Sequence, residues 1–249
     1  MISVNNLKFV CLIVRDSKYL KLKYPQGNWD YHNSRDRDIK DFNKLCEHIT
    51  TYDYHLFRMG SEVEEKLISK NEKIIDYANS KNKSDFLDVY LASRCDYLIS
   101  SGLGYDALGV LFKKYILFLD IMPLMGMNFF YSNALTTLTK YFSIDNHKYL
   151  SLQNIFDQNL ESLSTYDDLK KKNIKLEKSD GNDYGDYFDE LYQIKNNIYK
   201  FSKFENELHN EFVHILSKNF KKKGYFKNMS QIKIKISPKF LLKNQYLLE

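Results

Sequence analysis

Cysteine, proline and glycine are all scarce in this chain of 249 residues, which holds 3, 3 and 9 of them. So little glycine and proline beside 43% apolar residues excludes a collagen-like, linker-like or low-complexity protein and leaves enough apolar surface for a sizeable core. Cys11, Cys46 and Cys95 are odd in number, far apart and without a C-x-x-C pair. Neither a disulfide framework nor a zinc ribbon fits, and a reducing cytosol is the simplest expectation. No stretch approaches the ~20 apolar residues that cross a bilayer; the run 115–131 is interrupted by Asp120 and Pro123. The first residues lack a basic start and a long apolar run, which argues against a signal peptide. His209 and His214 are five apart, no H-E-x-x-H or G-x-S-x-G occurs, and Cys11 lies inside an apolar run, so neither a metal centre nor a covalent nucleophile is expected.

The net charge of +5 is unevenly spread. Residues 200–249 hold 11 lysines against 4 glutamates, which leaves the rest of the chain slightly acidic. Lys221, Lys222, Lys223 and Lys227 beside Tyr225 and Phe226 fit a solvated tail or a patch for a membrane surface or other anionic partner. Nucleic acid is disfavoured, because no basic stripe interleaved with stacking aromatics and no known module accompanies them.

What is present is an alternation of strand-like and helix-like segments. The run FVCLIV at 9–14 is continuous and β-prone, as in a parallel strand buried on both faces. Ile39, Phe42, Cys46 and Ile49 predict a helix over 38–50; further strands are expected at 54–58, 73–76, 97–100 and 115–119. Helices are expected after Ser84, a ready N-cap, and over 105–113. This order predicts an α/β fold with a parallel sheet covered by helices. Residues 162–185 are polar and charge-dense and read as an exposed excursion. A periodic helix over 203–222 carries Phe204, Leu208, Phe212, Ile215 and Leu216 to pack on the core or dock a partner, and a short β-prone stretch follows at 232–236.

In an open parallel sheet, ligands bind beyond the carboxyl ends of the strands. Arg15 and Asp16 follow the first strand, Arg58 and Gly60 the second, Asp76 ends the third, and Ser100, Ser101, Gly102 and Gly104 follow the fourth. Gly102, Gly104 and Gly109 are three of nine glycines, and such a loop lets backbone N–H groups approach an anion. A phosphate site is one reading; a tight turn without a ligand is the other. The pattern G-x-G-x-x-A is that of dinucleotide sites but follows the fourth strand rather than the first, which argues against a dehydrogenase. Asp85 and Asp88 share a helix near this loop and suit ribose or base contact, or simply a helix N-terminus in the case of Asp85.

Taken in order, VCLIVRDS (10–17), YHNSRDRD (31–38), FRMG (57–60), IIDY (74–77), SDFLD (84–88), ISSGLGYDA (99–107) and ISPKFLLKN (236–244) resemble a family of bacterial glycosyltransferases associated with surface-polysaccharide gene clusters. The likeness covers most of 8–157 and the C-terminal tip. It implies a GT-B architecture whose Rossmann-like C-terminal half binds a nucleotide-sugar donor without a metal or other cofactor. The donor phosphates are then expected near Arg15, Arg58, Ser101, Gly102 and Gly104, and the nucleoside near Gly60, Asp76, Asp85 and Asp106, with His32 a weak catalytic candidate. The expected sections are a donor-binding domain at 1–157, a polar excursion at 158–200 and a C-terminal helix with a basic tail at 201–249. Relatives in this family look longer, with a preceding domain, so a separate N-terminal acceptor-binding domain is an expected partner, together with a glycan or lipid-linked acceptor. The expected location is the cytoplasm, with at most peripheral contact between the basic C-terminal tail and the inner membrane face, and a non-catalytic nucleotide-sugar binding module or an inactive fragment is the alternative to the transferase.

Overall fold

The computed structural model describes residues 7–225 and 232–249, and the side chains of all of these except 30–32. In chain order, β1 (Phe9–Ile13) leads into the short helix α1 (Lys18–Lys23), two 3-10 turns at Asp30–Arg35 and Ile39–Phe42, and α2 (Asn43–Thr50). Next come β2 (His55–Met59), β3 (Ile74–Ile75), α3 (Asp85–Arg94), β4 (Tyr97–Ser100), α4 (Asp106–Leu111), β5 (Tyr115–Ile121) and β6 (Ala134–Leu138). The six strands form one parallel sheet in the order β3-β2-β1-β4-β5-β6. Every residue of β1 and β4 is buried, as continuous apolar strands covered on both faces require. The α/β class and the Rossmann-like parallel sheet are therefore as expected.

Neighbouring residues of a strand face opposite sides of a sheet, and β4 shows which helices lie where. Tyr97 packs its ring on Phe188 and Tyr192 of α7 (Asp183–Lys195). Leu98 instead approaches Gly109 of α4. α2 lies on the α7 side, with His48 Nε2 2.6 Å from Asp189 Oδ1 and Leu45, Cys46 and Ile49 buried, and α3 contacts α4 on the other. The Ser84 hydroxyl caps α3 by accepting the Leu87 N–H, as its sequence suggests.

Several boundaries move. The helix expected over 38–50 is a 3-10 turn followed by α2, the strand expected to end at 119 continues to Ile121, and β6 was not foreseen. Threonines hide β6: Thr136 and Thr137 are buried, and the Thr137 hydroxyl accepts the Asp120 N–H. β7 (Lys140–Ser143) then pairs with β8 (Lys148–Tyr149) on one side and β9 (Ile174–Glu177) on the other in a second, antiparallel sheet, with α5 (Leu152–Asp157) and α6 (Tyr166–Lys171) between β8 and β9 in the chain.

The expected excursion at 158–200 is the main correction. α7 packs on β5 and α2, burying Tyr184, Tyr187, Phe188 and Leu191. Its aspartates, Asp183, Asp186 and Asp189, are not buried and sit on other faces of the same helix, so a polar composition conceals an amphipathic period. α8 (Lys203–Lys223) starts with a Ser202/Glu205 capping box and ends at the left-handed Gly224. It buries Phe212, Ile215, Leu216 and Phe220 and leaves Phe204 exposed. Of the β-prone stretch 232–236, Ile236 alone bridges to the sheet, at Thr136, and α9 (Pro238–Lys243) follows. One apolar core runs from Phe9 to Leu247, joining all three expected sections.

Candidate functional site

Ile13 pairs level with Met59 on one side and Ser100 on the other. The residues that leave these three strands therefore emerge together at one edge, where the chain order reverses between β1 and β4. Such a reversal splays the following connections apart and opens a crevice. A cleft of about 730 Å³ occupies this place, walled by the segments after β1, β2, β4 and β5.

Arg15 is the buried cation of the cleft. Its N–H donates to the Ser101 hydroxyl at 3.0 Å, tying the β1 exit to the β4 exit, and its carbonyl accepts the Arg37 N–H at 2.9 Å. The guanidinium Nε lies 3.2 Å from Asp36 Oδ1, while the buried Nη2 finds no hydrogen-bond partner among the described residues. A buried guanidinium donor without an acceptor is costly unless something else meets it. Burial pushes the Asp36 carboxyl up, with the Arg15 charge opposing that rise.

The loop after β4 is built around its glycines. Gly102 has φ +86°, a conformation glycine adopts readily, and its N–H donates to Ser100 Oγ at 3.0 Å. The Leu103 N–H donates to Asp106 Oδ2 at 2.8 Å. The next two N–H groups, of Gly104 and Tyr105, make no hydrogen bond among the described residues, and both residues line the cleft. Gly109 is a packing glycine: a Cβ there would stand 2.6 Å from Leu98 Cδ2. Half-buried Asp106 carries a carboxyl that desolvation pushes up to about 6.

Of the expected phosphate set, Arg15, Gly102 and Gly104 meet in the cleft. Ser101 stands behind it as the support of Arg15. Arg58 does not reach it. Its side chain is 1% exposed, pairs with Asp76 at 3.2 Å and donates to the Glu65 carbonyl, so its charge serves the fold. The same network removes Asp76 from the nucleoside set, since its carboxylate also accepts the Leu67 N–H and the Asn79 amide. Asp85 is exposed at the start of α3 away from the cleft, whereas Asp88, one turn on, lines it. Gly60 and Asp106 do line it. His32 falls among the residues whose side chains are not described.

Tyr19, Arg35, Glu62 and Met122 also line the cleft and were not singled out from sequence. Met122 directly follows β5, which runs two residues beyond its expected end, and is apolar, so no polar signal at a strand end marks it. Arg35 ends the 3-10 turn Asp30–Arg35, away from any strand end that would mark it in sequence.

Behind Arg15 lies a buried polar network. Asp120, in β5 with φ +49°, pairs with Arg37 Nη1 at 2.7 Å and accepts the Tyr184 hydroxyl at 2.6 Å. Its other oxygen accepts the Ser179 N–H and hydroxyl at 2.9 and 2.7 Å. Lys178 donates to the Asp36 carbonyl, and burial with Arg37 nearby brings its ammonium down to about 8. Among the described residues, no group of three or more His, Cys, Asp or Glu side chains is placed to hold a metal ion. Compared with known proteins, the chain matches no family model, no curated protein and no solved structure.

Proposed function

We propose that the cleft binds the diphosphate of a nucleotide-sugar donor and that the chain is the donor-binding part of a glycosyltransferase acting in surface-glycan synthesis. The observation that carries the reading is the buried Arg15 Nη2 without a partner, in one cleft with the unpaired N–H groups of Gly104 and Tyr105. A guanidinium and backbone amides are the donors that phosphate oxygens select. In glycosyl transfer the same donors would stabilise the negative charge that builds on the departing nucleoside diphosphate.

The other charged groups of the cleft favour a sugar-bearing ligand over a bare polyphosphate. Asp16, Glu62, Asp88 and Asp106 line it beside Arg15 and Arg35. Carboxylates repel additional phosphate but accept hydrogen bonds from hydroxyls, which ribose and a hexose supply. The order of short motifs described above supports the same class.

Calorimetric titration with nucleoside diphosphates, nucleoside triphosphates and nucleotide sugars tests the proposal. A nucleotide sugar should bind more tightly than the triphosphate of the same base. No binding by any of them refutes the site. Binding without donor hydrolysis or transfer, with or without an added acceptor-binding domain, would favour a non-catalytic nucleotide-sugar module.

A further inference from the structure

The stretch from Lys18 to Trp29 contributes nothing to the core, yet it is well formed. α1 buries none of its six residues, and residues 21–28 are all exposed. The Gly27 N–H and the Trp29 indole N–H both donate to the Tyr24 carbonyl, at 3.0 and 2.8 Å. The rings of Tyr24 and Trp29 lie 5.9 Å apart, and a Cβ at Gly27 would meet the indole at 2.5 Å. The segment is therefore a closed, preformed projection.

Its chemistry is of two kinds. Leu22 and Tyr24 are 56% and 54% exposed, and Tyr19 is exposed beside them. Lys18, Lys21 and Lys23 alternate with these apolar groups, and residues 17–29 contain no acid. Protein interfaces are depleted of lysine, whereas aromatic and leucine side chains among lysines suit the boundary between headgroups and acyl chains of an anionic bilayer. The lysines of the C-terminal section are differently placed. Lys222, Lys223, Lys239 and Lys243 pair with Asp157, Glu161, Asp186 and Asp183, so much of the charge there is met within the fold.

We infer that residues 18–29 dock the protein on an anionic lipid surface. Tyr19 and Leu20 also line the cleft, so docking through this segment brings the cleft mouth to the headgroups, within reach of a lipid-linked substrate. Among the described residues no helix is long and apolar enough to cross a membrane, and the contact is peripheral. The inference rests on the exposure and charge of the segment, independently of what the cleft binds.

Trp29 is the chain's single tryptophan and reports on the contact. Vesicles of mixed phosphatidylglycerol and phosphatidylcholine should carry the full chain down on sedimentation and shift its emission to shorter wavelength. Phosphatidylcholine alone should do neither. Lys21→Ser with Lys23→Ser should lower the partition coefficient about 30-fold, at about fivefold per lysine. Leu22→Ser with Tyr24→Ser should abolish the emission shift. All four side chains are exposed, so these variants should melt like the parent. Three outcomes overturn the inference: no partition into the mixed vesicles; partition lost on Lys221→Gln, Lys222→Gln and Lys223→Gln but unchanged in the Lys21/Lys23 variant; or self-association abolished by the Leu22/Tyr24 variant with vesicle partition unaltered. Nucleotide titration without vesicles is a separate readout, so failure of one reading is not failure of the other.

Discussion

Gly109→Ala tests how α4, and with it the loop before the helix, is held on the sheet. Alanine in a helix interior is favoured over glycine by about 1 kcal/mol. At an exposed position the substitution would therefore stabilise. At Gly109 the new methyl carbon would lie 2.6 Å from Leu98 Cδ2 and 2.9 Å from Ile116 Cδ1. Those atoms end flexible side chains, but Leu98 and Ile116 are wholly buried in the adjacent strands β4 and β5 and have little room to rotate. Inserting a methylene into such a core costs about 1–3 kcal/mol. Two contacts under 3.0 Å place the packing cost in the upper part of that range, about 2–3 kcal/mol, so it exceeds the helix gain and a net loss of about 1–2 kcal/mol is expected. For a chain of this size that lowers the melting temperature by about 2–8 °C. Urea denaturation followed by circular dichroism measures it, with Gly104→Ala as reference because nothing lies within 4 Å of a Cβ there. A Gly109→Ala protein as stable as the parent or more so would refute the close seating of α4.

Arg15→Gln should weaken nucleotide-sugar binding by about 10- to 100-fold in calorimetry, the range for one hydrogen bond to a charged group; unchanged affinity would remove Arg15 from the site. Gly104→Val should leave the unfolding free energy within about 0.5 kcal/mol of the parent while reducing ligand affinity, since Gly104 lines the cleft and a Cβ there has open space around it; a large stability loss would contradict the open space there. Glu190, buried in α7, accepts the Ser237 hydroxyl and the Lys239 N–H at the start of α9, and desolvation pushes its carboxyl from 4.5 up to about 7. The fold thus prefers the protonated form, so this group's contribution is full below pH 4.5 and is lost as pH rises through about 7, about 3 kcal/mol in all; Glu190→Gln should flatten stability between about pH 4.5 and 7, and parallel pH profiles would refute this.

The parallel sheet was legible because its central strands are unbroken apolar runs, as at Phe9–Ile13 and Tyr97–Ser100, and because each is followed by a turn and a helix start. The glycine loop was legible because glycine is rare in this chain. Local pattern does not reveal which of several polar residues at strand ends faces a ligand and which faces another side chain. Arg15 and Arg58 look equivalent in sequence. Only Arg58 has Asp76 and the Glu65 carbonyl beside it, brought there by the pairing of β2 with β3. Asp85 and Asp88 differ by less than one helical turn, and the direction in which α3 points decides between them. β6 and α7 were obscured by composition, since buried threonines and flanking aspartates lower the mean hydropathy without disturbing the period that folds them.

The segment that composition presents as an excursion is also what steadies the cleft's buried cation. Ser179 and Tyr184 hold the Asp120 carboxylate, which holds the Arg37 guanidinium. The Arg37 N–H in turn fixes the Arg15 carbonyl, and Lys178 fixes the carbonyl of Asp36, whose side chain faces Arg15 Nε. Each link is a hydrogen bond or ion pair between groups that are wholly or partly buried, where competition from water is weak and geometry is held tightly. The φ of +49° at Asp120 fits this function: it occurs at the register shift between Phe118 and Ile121, where β5 departs from regular pairing to aim one carboxylate at both Arg37 and Ser179. A left-handed aspartate within a strand is an unfavourable local choice that surrounding bonds must offset. The four donors on its carboxylate supply that compensation, so the irregularity in β5 and the fixed position of Arg15 have one structural cause.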